Sequence, residues 1–368
     1  MSFSLAAAAP AQTESVIYSF KNPPDAFGPQ CNLVLDAAGN MYGATFSGGV
    51  NNLGAIFMVT PAGKESVVYS FAGGADGGHP IAGLFWEKKT GNLYGTTLYG
   101  GTTNSGTVFM VTAAGVEKVL YSFKGGVDGA NPYSSVVKLG ANIFGTTNAG
   151  GAYGYGTVFK LAASGKETIL HDFNSAFPTL DGSYPYAGLV FYKRVLYGTT
   201  TMGGASNLGT VFSITKTGSY GLLYSFKGGS SDGQNPYAGV AFDKSGILYG
   251  TTFGGGTDNA GVVYKLAGGS ESVLHHFLRN GSDGINPYAS LLCVKGNFYG
   301  TTEGGNSDGG TVYKITPAGV HTVIHSFAGG ADGYNTYSAL ALGAKNTFYG
   351  TTLNGGASKL GTVFKVVP

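Results

Sequence analysis

Seven aspartates recur at matching places in this sequence: Asp25, Asp76, Asp128, Asp181, Asp232, Asp283 and Asp332. Carboxylates among loop carbonyls form a ligand set for a hard cation such as calcium. Asp ahead of Gly in a loop is equally a device for bonding nearby backbone N–H groups, and presence in every unit is what a folding device shows. The folding role is the reading adopted, so no cofactor and no metal are expected, calcium being the one ion the aspartates would suit. A second set is Tyr133, Tyr186, Tyr237, Tyr288 and Tyr337, with Asn131, Asn235 and Asn286 two residues ahead of three of them. Flat rings with a polar handle, set beside amides, suit stacking on a sugar or gripping a peptide. Packing between neighbouring units is the competing use of the same rings. Gln30 and Ile81 break the set in the first two units.

Catalytic chemistry finds few parts. His171, His275 and His325 take the place held elsewhere by Tyr18, Tyr69, Tyr121 and Tyr224, which reads as a packing position, and His79, His276 and His321 are isolated. No Ser-His-Asp spacing, Walker loop or zinc motif is present. Glu303 and Asp308, in the one shortened Gly-Gly loop, are the only deviant acidic pair. A polysaccharide hydrolase or lyase would need such an asymmetric pair on one side of a cleft.

The elements that must position these residues come from a repeat. Leu93-Tyr-Gly-Thr-Thr97 returns seven times, its aromatic being Tyr42, Tyr94, Phe144, Tyr197, Tyr249, Tyr299 and Tyr349, 50 to 53 residues apart. Each unit holds four segments of five to seven residues rich in Val, Ile, Thr, Tyr and Phe, separated by glycine turns, which is the signature of hairpin-linked strands. In one full unit they are Ile81 to Phe85, Leu93 to Thr97, Gly106 to Thr112 and Glu117 to Phe123. Four strands in about 50 residues is a propeller blade. The chain opens on a fourth segment, Glu14 to Phe20, and stops on a third, Gly361 to Val367. The prediction is an all-β, seven-bladed β-propeller with four antiparallel strands per blade, closed by the N-terminal strand. Residues 14–368 form its single domain, and residues 1–13 are the remnant of a signal peptide or a disordered leader.

The glycine of each Tyr-Gly-Thr-Thr sits mid-strand, where glycine normally weakens a sheet. Its recurrence implies a large ring lying over the gap, with the adjacent Tyr or Phe as candidate. In a propeller the loops from fourth to first strand and from second to third strand leave on one face, so the aspartates, the tyrosines and the Thr-Thr-x-x-Gly-Gly loops share it.

These residues resemble the GloVer tandem repeat family of exported bacterial proteins, whose units read Leu-Tyr-Gly-Thr-Thr, a Gly-Gly loop, Gly-Thr-Val-Phe, a Ser-Phe strand and Asp-Gly-x-x-Pro-Tyr. The resemblance covers residues 14 to 367. It implies export and carries over no catalytic residue. Ala9-Pro10-Ala11 fits a small-x-small cleavage site, consistent with a secreted or cell-surface protein. Only 11% of residues are charged, the formal net charge is +2 and no Lys/Arg run occurs, so no nucleic-acid partner is expected. No apolar run is long enough to span a bilayer. Cys31 and Cys293 do not occupy corresponding positions and read as small hydrophobes. The expected function is a non-enzymatic binding or scaffold propeller presenting its loop-rich face to a carbohydrate or protein. The alternatives are the polysaccharide hydrolase or lyase above and a self-assembling surface or filament subunit.

Overall fold

Short β-rich segments between glycine turns cannot bury both faces of a four-stranded sheet, and here each sheet is covered by its two neighbours. The computed structural model describes residues 13–174, 181–305 and 309–368. The Ala9-Pro10-Ala11 motif with the rest of the leader up to residue 12, residues 175–180 and Asp308 lie outside the described residues. Seven four-stranded antiparallel sheets form a ring, six of them built from strands that follow one another along the chain and the seventh closed by the N-terminal strand. One blade runs Phe85–Glu87, Asn92–Thr97, Thr107–Val111 and Glu117–Ser122 from the channel outward. The last blade is Ala341–Leu342, Phe348–Thr352 and Thr362–Val367, completed by Thr13–Ser19, which pairs antiparallel from Thr13 opposite Val367 to Ser19 opposite Thr362. No helix among the described residues is long and apolar enough to cross a membrane.

The core lies between blades, in seven clusters. One of them joins Tyr94, Val108 and Phe123 of one blade to Val136, Ile143, Phe159 and Leu161 of the next. The cluster that closes the ring sets Phe20 and Val363 against Leu33, Met41 and Phe57. A single contact recurs at every interface: the Phe ending each outer strand meets edge-on the third-strand aromatic of the following blade. The pairs are Phe20–Phe57, Phe71–Phe109, Phe123–Phe159, Phe173–Phe212, Phe226–Tyr264, Phe277–Tyr313 and Phe327–Phe364, with centroids 5.0 to 5.2 Å apart. Such pairs contribute about 0.5 to 1.5 kcal/mol each beyond area burial.

That same ring explains the mid-strand glycine. A Cβ at Gly95 would sit 2.7 Å from Cζ of Phe109, its direct cross-strand partner, and one at Gly198 would sit 2.5 Å from Cζ of Phe212. The ring over the gap therefore comes from the third strand and not from the adjacent Tyr or Phe. The innermost strand also differs from expectation: pairing begins at Phe85, so Ile81 to Leu84 form no ladder with their own second strand. Near the axis these inner segments bond sideways instead. Thr199 Oγ1 donates to Ala238 O, Thr251 Oγ1 to Ala289 O, Thr301 Oγ1 to Ser338 O and Thr351 Oγ1 to Cys31 O, each crossing to the next blade. The last of these joins the final blade to the first.

Candidate functional site

Both elaborate loop classes leave on one face, where short antiparallel bridges pin one to the other, as at Gly78–Tyr99, Ala130–Ala149, Ser183–Met202 and Ile285–Gly304. From this platform the inner segments enter the channel carrying the five tyrosines. All five are half-buried and line a single cavity of about 300 Å³ at the channel mouth. Tyr237 and Tyr288 stack at 4.8 Å and 15°, and Tyr133 and Tyr186 lie 4.8 Å apart. Tyr186 meets both Tyr237 and Tyr288 edge-on at 5.2 and 5.6 Å, and Tyr288 meets Tyr337 at 5.0 Å. Phe253 adds a sixth ring, 5.4 Å from Tyr237. The rings form an arc from Tyr133 to Tyr337, and Gln30 and Ile81 line the side between its ends.

Among the described residues no charged side chain lines this cavity. Burial pushes the Tyr133, Tyr186 and Tyr288 hydroxyls well above the ordinary phenol range, so they stay neutral hydrogen-bonding groups. One carboxylate reaches the rim: Glu303 Oε1 accepts from the Tyr337 hydroxyl at 2.6 Å. Burial and that bond push Tyr337 up as well. A general acid and base both need a place at a hydrolytic site. Among the described residues Glu303 has no second carboxylate beside it in the cavity wall.

The asparagines have another task. Asn131, Asn235 and Asn286 sit at φ 52°, 52° and 55°, a left-handed conformation that Asn tolerates better than most residues. Their amides donate across to the preceding blade: Asn131 Nδ2 to Leu98 O at 3.1 Å, Asn235 Nδ2 to Thr201 O and Asn286 Nδ2 to Phe253 O, both at 2.9 Å. None of the three lines the cavity. They hold the tyrosine-bearing segments in place, and the equivalent His79 does the same through Nδ1 and Phe46 O at 2.9 Å.

The aspartates stand at the outer edge, away from the channel. In each blade the outer-strand Tyr or His meets the aspartate of its own loop. Tyr18 donates to Asp25 at 2.6 Å, Tyr69 to Asp76 at 2.8 Å, Tyr121 to Asp128 at 2.5 Å and Tyr224 to Asp232 at 2.9 Å. His171, His275 and His325 approach Asp181, Asp283 and Asp332 at 2.7, 3.1 and 3.2 Å. The second carboxylate bond comes from a backbone N–H a few residues upstream, as from Lys21 to Asp25 and Ala72 to Asp76. Five of these aspartates face a glutamate from the next outer strand: Glu65, Glu117, Glu167, Glu271 and Glu14 against Asp25, Asp76, Asp128, Asp232 and Asp332. Oε1 of all five glutamates is buried without a hydrogen-bond partner. Desolvation first, and the facing aspartate second, push each glutamate up to about 7.

A family model named for the Gloeobacter/Verrucomicrobia repeat matches residues 3–212 and 195–368. The chain belongs to this repeat family. A search of curated proteins finds no match. Among solved structures, the chain is similar to the extracellular domain of a protein from B. thetaiotaomicron assigned as a one-component system, at 10% identity and a TM-score of 0.58. That likeness covers 95% of this chain and 39% of the other. A Bacteroides uniformis protein assigned as a 6-phosphogluconolactonase is similar at 13% identity and a TM-score of 0.54, over 88% of this chain and 90% of that one. Puromycin hydrolase is similar at 10% identity and 0.55, over 87% and 49%. At such identities the likeness concerns the fold alone.

Two groupings in this Gloeobacter/Verrucomicrobia repeat protein are absent from a single-unit reading. His321 occupies the outer-strand place of the glutamates, and its ring stacks on His275 at 4.1 Å and 8°. Both donate toward Asp283, through His321 Nδ1 and His275 Nε2 at 3.1 Å. His321 is therefore not isolated. The ligand atoms of His275, Asp283 and His321 lie within 4.8 Å of one another, as do those of Glu14, His325 and Asp332. The stacked rings set His275 Nε2 and His321 Nδ1 side by side against the one Asp283 carboxylate, and burial holds His321 down at about 4. Aligning the fourth segments unit by unit puts His321 and Tyr220 at the glutamate position, which is the signal a pairwise search for motifs passes over.

Proposed function

We propose that this protein is an exported binding propeller that takes a neutral carbohydrate at the tyrosine-lined mouth of its channel. The observation that carries this reading is the convergence of five half-buried tyrosines on one cavity of about 300 Å³ with no charged side chain in its wall among the described residues. That size falls at the lower end of small-molecule sites. Rings supply flat area for the apolar face of a sugar, and neutral hydroxyls supply polar contacts. Ser134, Ser135 and Ser290 add hydroxyls to the wall. The asparagines act one step back, as positioning residues. Export is part of the reading through Ala9-Pro10-Ala11, and N-terminal sequencing of secreted material should find the mature chain starting near Gln12.

The test is calorimetric titration with a panel of neutral oligosaccharides, comparing the native chain with Tyr237→Ala/Tyr288→Ala and following thermal melts of both. Two stacking rings are worth about 1 to 3 kcal/mol beyond area burial, so affinity should fall about 5- to 150-fold. If the rings serve only packing, the double variant melts lower while its folded fraction binds unchanged, and the proposal fails. Binding of a peptide segment at the same mouth, with no sugar bound, would reassign the ligand class.

A further inference from the structure

On the face opposite the loops, grooves lie between neighbouring blades beside the first-to-second strand hairpins, one between the second and third blades, lined by Lys118 and Lys138, and one between the sixth and seventh. In three blades that hairpin carries an acid that accepts from the second-strand tyrosine: Tyr42 donates to Asp36 at 3.3 Å, Tyr94 to Glu87 at 3.2 Å and Tyr249 to Asp243 at 3.3 Å. Beside Tyr94 the groove also holds Lys138, which Glu87 neutralises at 2.5 Å. The groove between the sixth and seventh blades inverts this arrangement. Val294 and Gly343 stand where the acids were, by alignment of the hairpins. Lys295, Lys314 and Lys345 line it instead, over a floor that includes Val294, Tyr299 and Ile324, around a cavity of about 520 Å³. Among the described residues none of these lysines has a carboxylate within ion-pair distance. Burial alone raises the Tyr299 hydroxyl, with no acid contributing.

We propose that the groove between the sixth and seventh blades is a second binding site, for an oligosaccharide bearing carboxylate or sulfate groups. Three ammonium groups around a partly apolar floor match a ligand that alternates anionic substituents with the C–H faces of sugar rings. Lysine meets such oxyanions as a point charge, without demanding a fixed bidentate geometry. A nucleic acid is the poorer fit, because the basic residues form one short cluster on a chain of net charge +2 and not a stripe that tracks a phosphate backbone. The converging lysines come from residues up to 50 positions apart, which is why no basic run marks them in the sequence.

The experiment titrates the full chain with an oligogalacturonate, a sulfated oligosaccharide of similar length, a neutral oligosaccharide and a short single-stranded DNA, at low and at high salt. Saturable binding of either acidic sugar is expected at low salt, weakening as salt screens the lysines. Whichever sugar binds more tightly identifies the oxyanion. The variant Lys295→Gln/Lys314→Gln/Lys345→Gln should lose at least about tenfold in affinity at an unchanged melting temperature, since it removes three exposed charge contacts together. Lys118→Gln, in the groove that also holds the Glu87–Lys138 pair, should leave affinity unaltered, and so should Tyr237→Ala/Tyr288→Ala, which separates this site from the channel mouth. Absence of binding by both acidic sugars, undiminished binding by the triple lysine variant, or tighter binding of the DNA would each overturn the proposal.

Discussion

The outer edge and the channel mouth use the same 50-residue unit in opposite ways. At the edge all seven aspartates take a Tyr or His from their own strand and backbone N–H groups from their own loop, without exception. At the mouth five units supply a tyrosine and two supply Gln30 and Ile81, leaving an arc with an open side. A contact repeated in every unit is what the ring requires in order to close. A position that departs in some units is free of that requirement, and such positions are where a ligand can be accommodated. The edge does vary at Tyr220 and His321, yet both rings stack on the neighbouring histidine, at 4.0 and 4.1 Å, so the variation preserves packing against the aspartate.

If the edge is structural, removing one of its strands should have the largest effect of any change. Deleting residues 13–19 exposes Thr362–Val367 as an unpaired edge and strips Phe20 of the strand that places it in the closing cluster. The truncated chain should be insoluble or lack a cooperative thermal transition, as read by solubility and circular dichroism. A truncated protein as stable as the full chain would break the account of ring closure.

The next largest effect is collective and comes from the five glutamates. Their folded pKa of about 7 lies above the ordinary 4.5, so the stability they contribute is complete below about 4.5 and is lost as pH rises through about 7. Each is roughly half-exposed, so screening reduces the effect to on the order of 1 kcal/mol per pair. His321, held down at about 4, and His276, lowered by burial, act in the other direction, two groups against five. Melting temperature should therefore be higher at pH 5 than at pH 8. Glu117→Gln, which cannot ionise, should flatten that slope by about a fifth. A melting temperature that rises from pH 5 to 8 would refute the paired carboxyls.

A single edge position should cost less. Asp232→Ala leaves the Tyr224 hydroxyl and the N–H groups of Lys227 and Gly233 without their acceptor. Orphaned donors of this kind cost about 1 to 3 kcal/mol in stability. Binding at the mouth should be unaffected in the folded protein. Loss of binding at intact stability would move the functional site to the edge and erase the distinction.

Most of the ring was legible in the sequence because repetition amplifies weak signals: seven copies of each strand set blade number, strand order and closure by the N-terminal segment. The inner strand was not, because Ile81 to Leu84 read as β-rich yet form no ladder with their own second strand, and inner segments of other units accept threonine hydroxyls from the preceding blade instead. The five tyrosines line one cavity, and their position after the loop is what marked them in the sequence. The asparagines two residues earlier were read as part of the same site, but their left-handed backbone and cross-blade amide bonds depend on the preceding blade. Partners assembled from distant units, such as His275 with His321 or Lys295 with Lys345, have no local signature at all.

The smallest expected effect is the sharpest test of the comparison. Ile81 is half-buried and borders the cavity on the open side of the tyrosine arc, at the place a tyrosine occupies in five other units. Ile81→Tyr makes the unit more like its neighbours. A blade position that accepts tyrosine elsewhere should accept it here at little cost, since Ile81 is half-buried at an open cavity and the added ring has space that a packed core would deny it. The melting temperature should hardly change. The consequence for binding depends on what the gap does. If it is the side on which a sugar sits, a sixth ring fills part of a cavity of only about 300 Å³ and affinity should fall several-fold while stability holds. If the gap is incidental, another ring adds stacking surface worth about 0.5 to 1.5 kcal/mol and affinity should rise. The geometry favours the first outcome, because the five existing rings already stack on one another and leave the Gln30 and Ile81 side as the part of the wall without an aromatic face. Tighter binding by Ile81→Tyr would show that the departure from repetition at the mouth has no functional meaning.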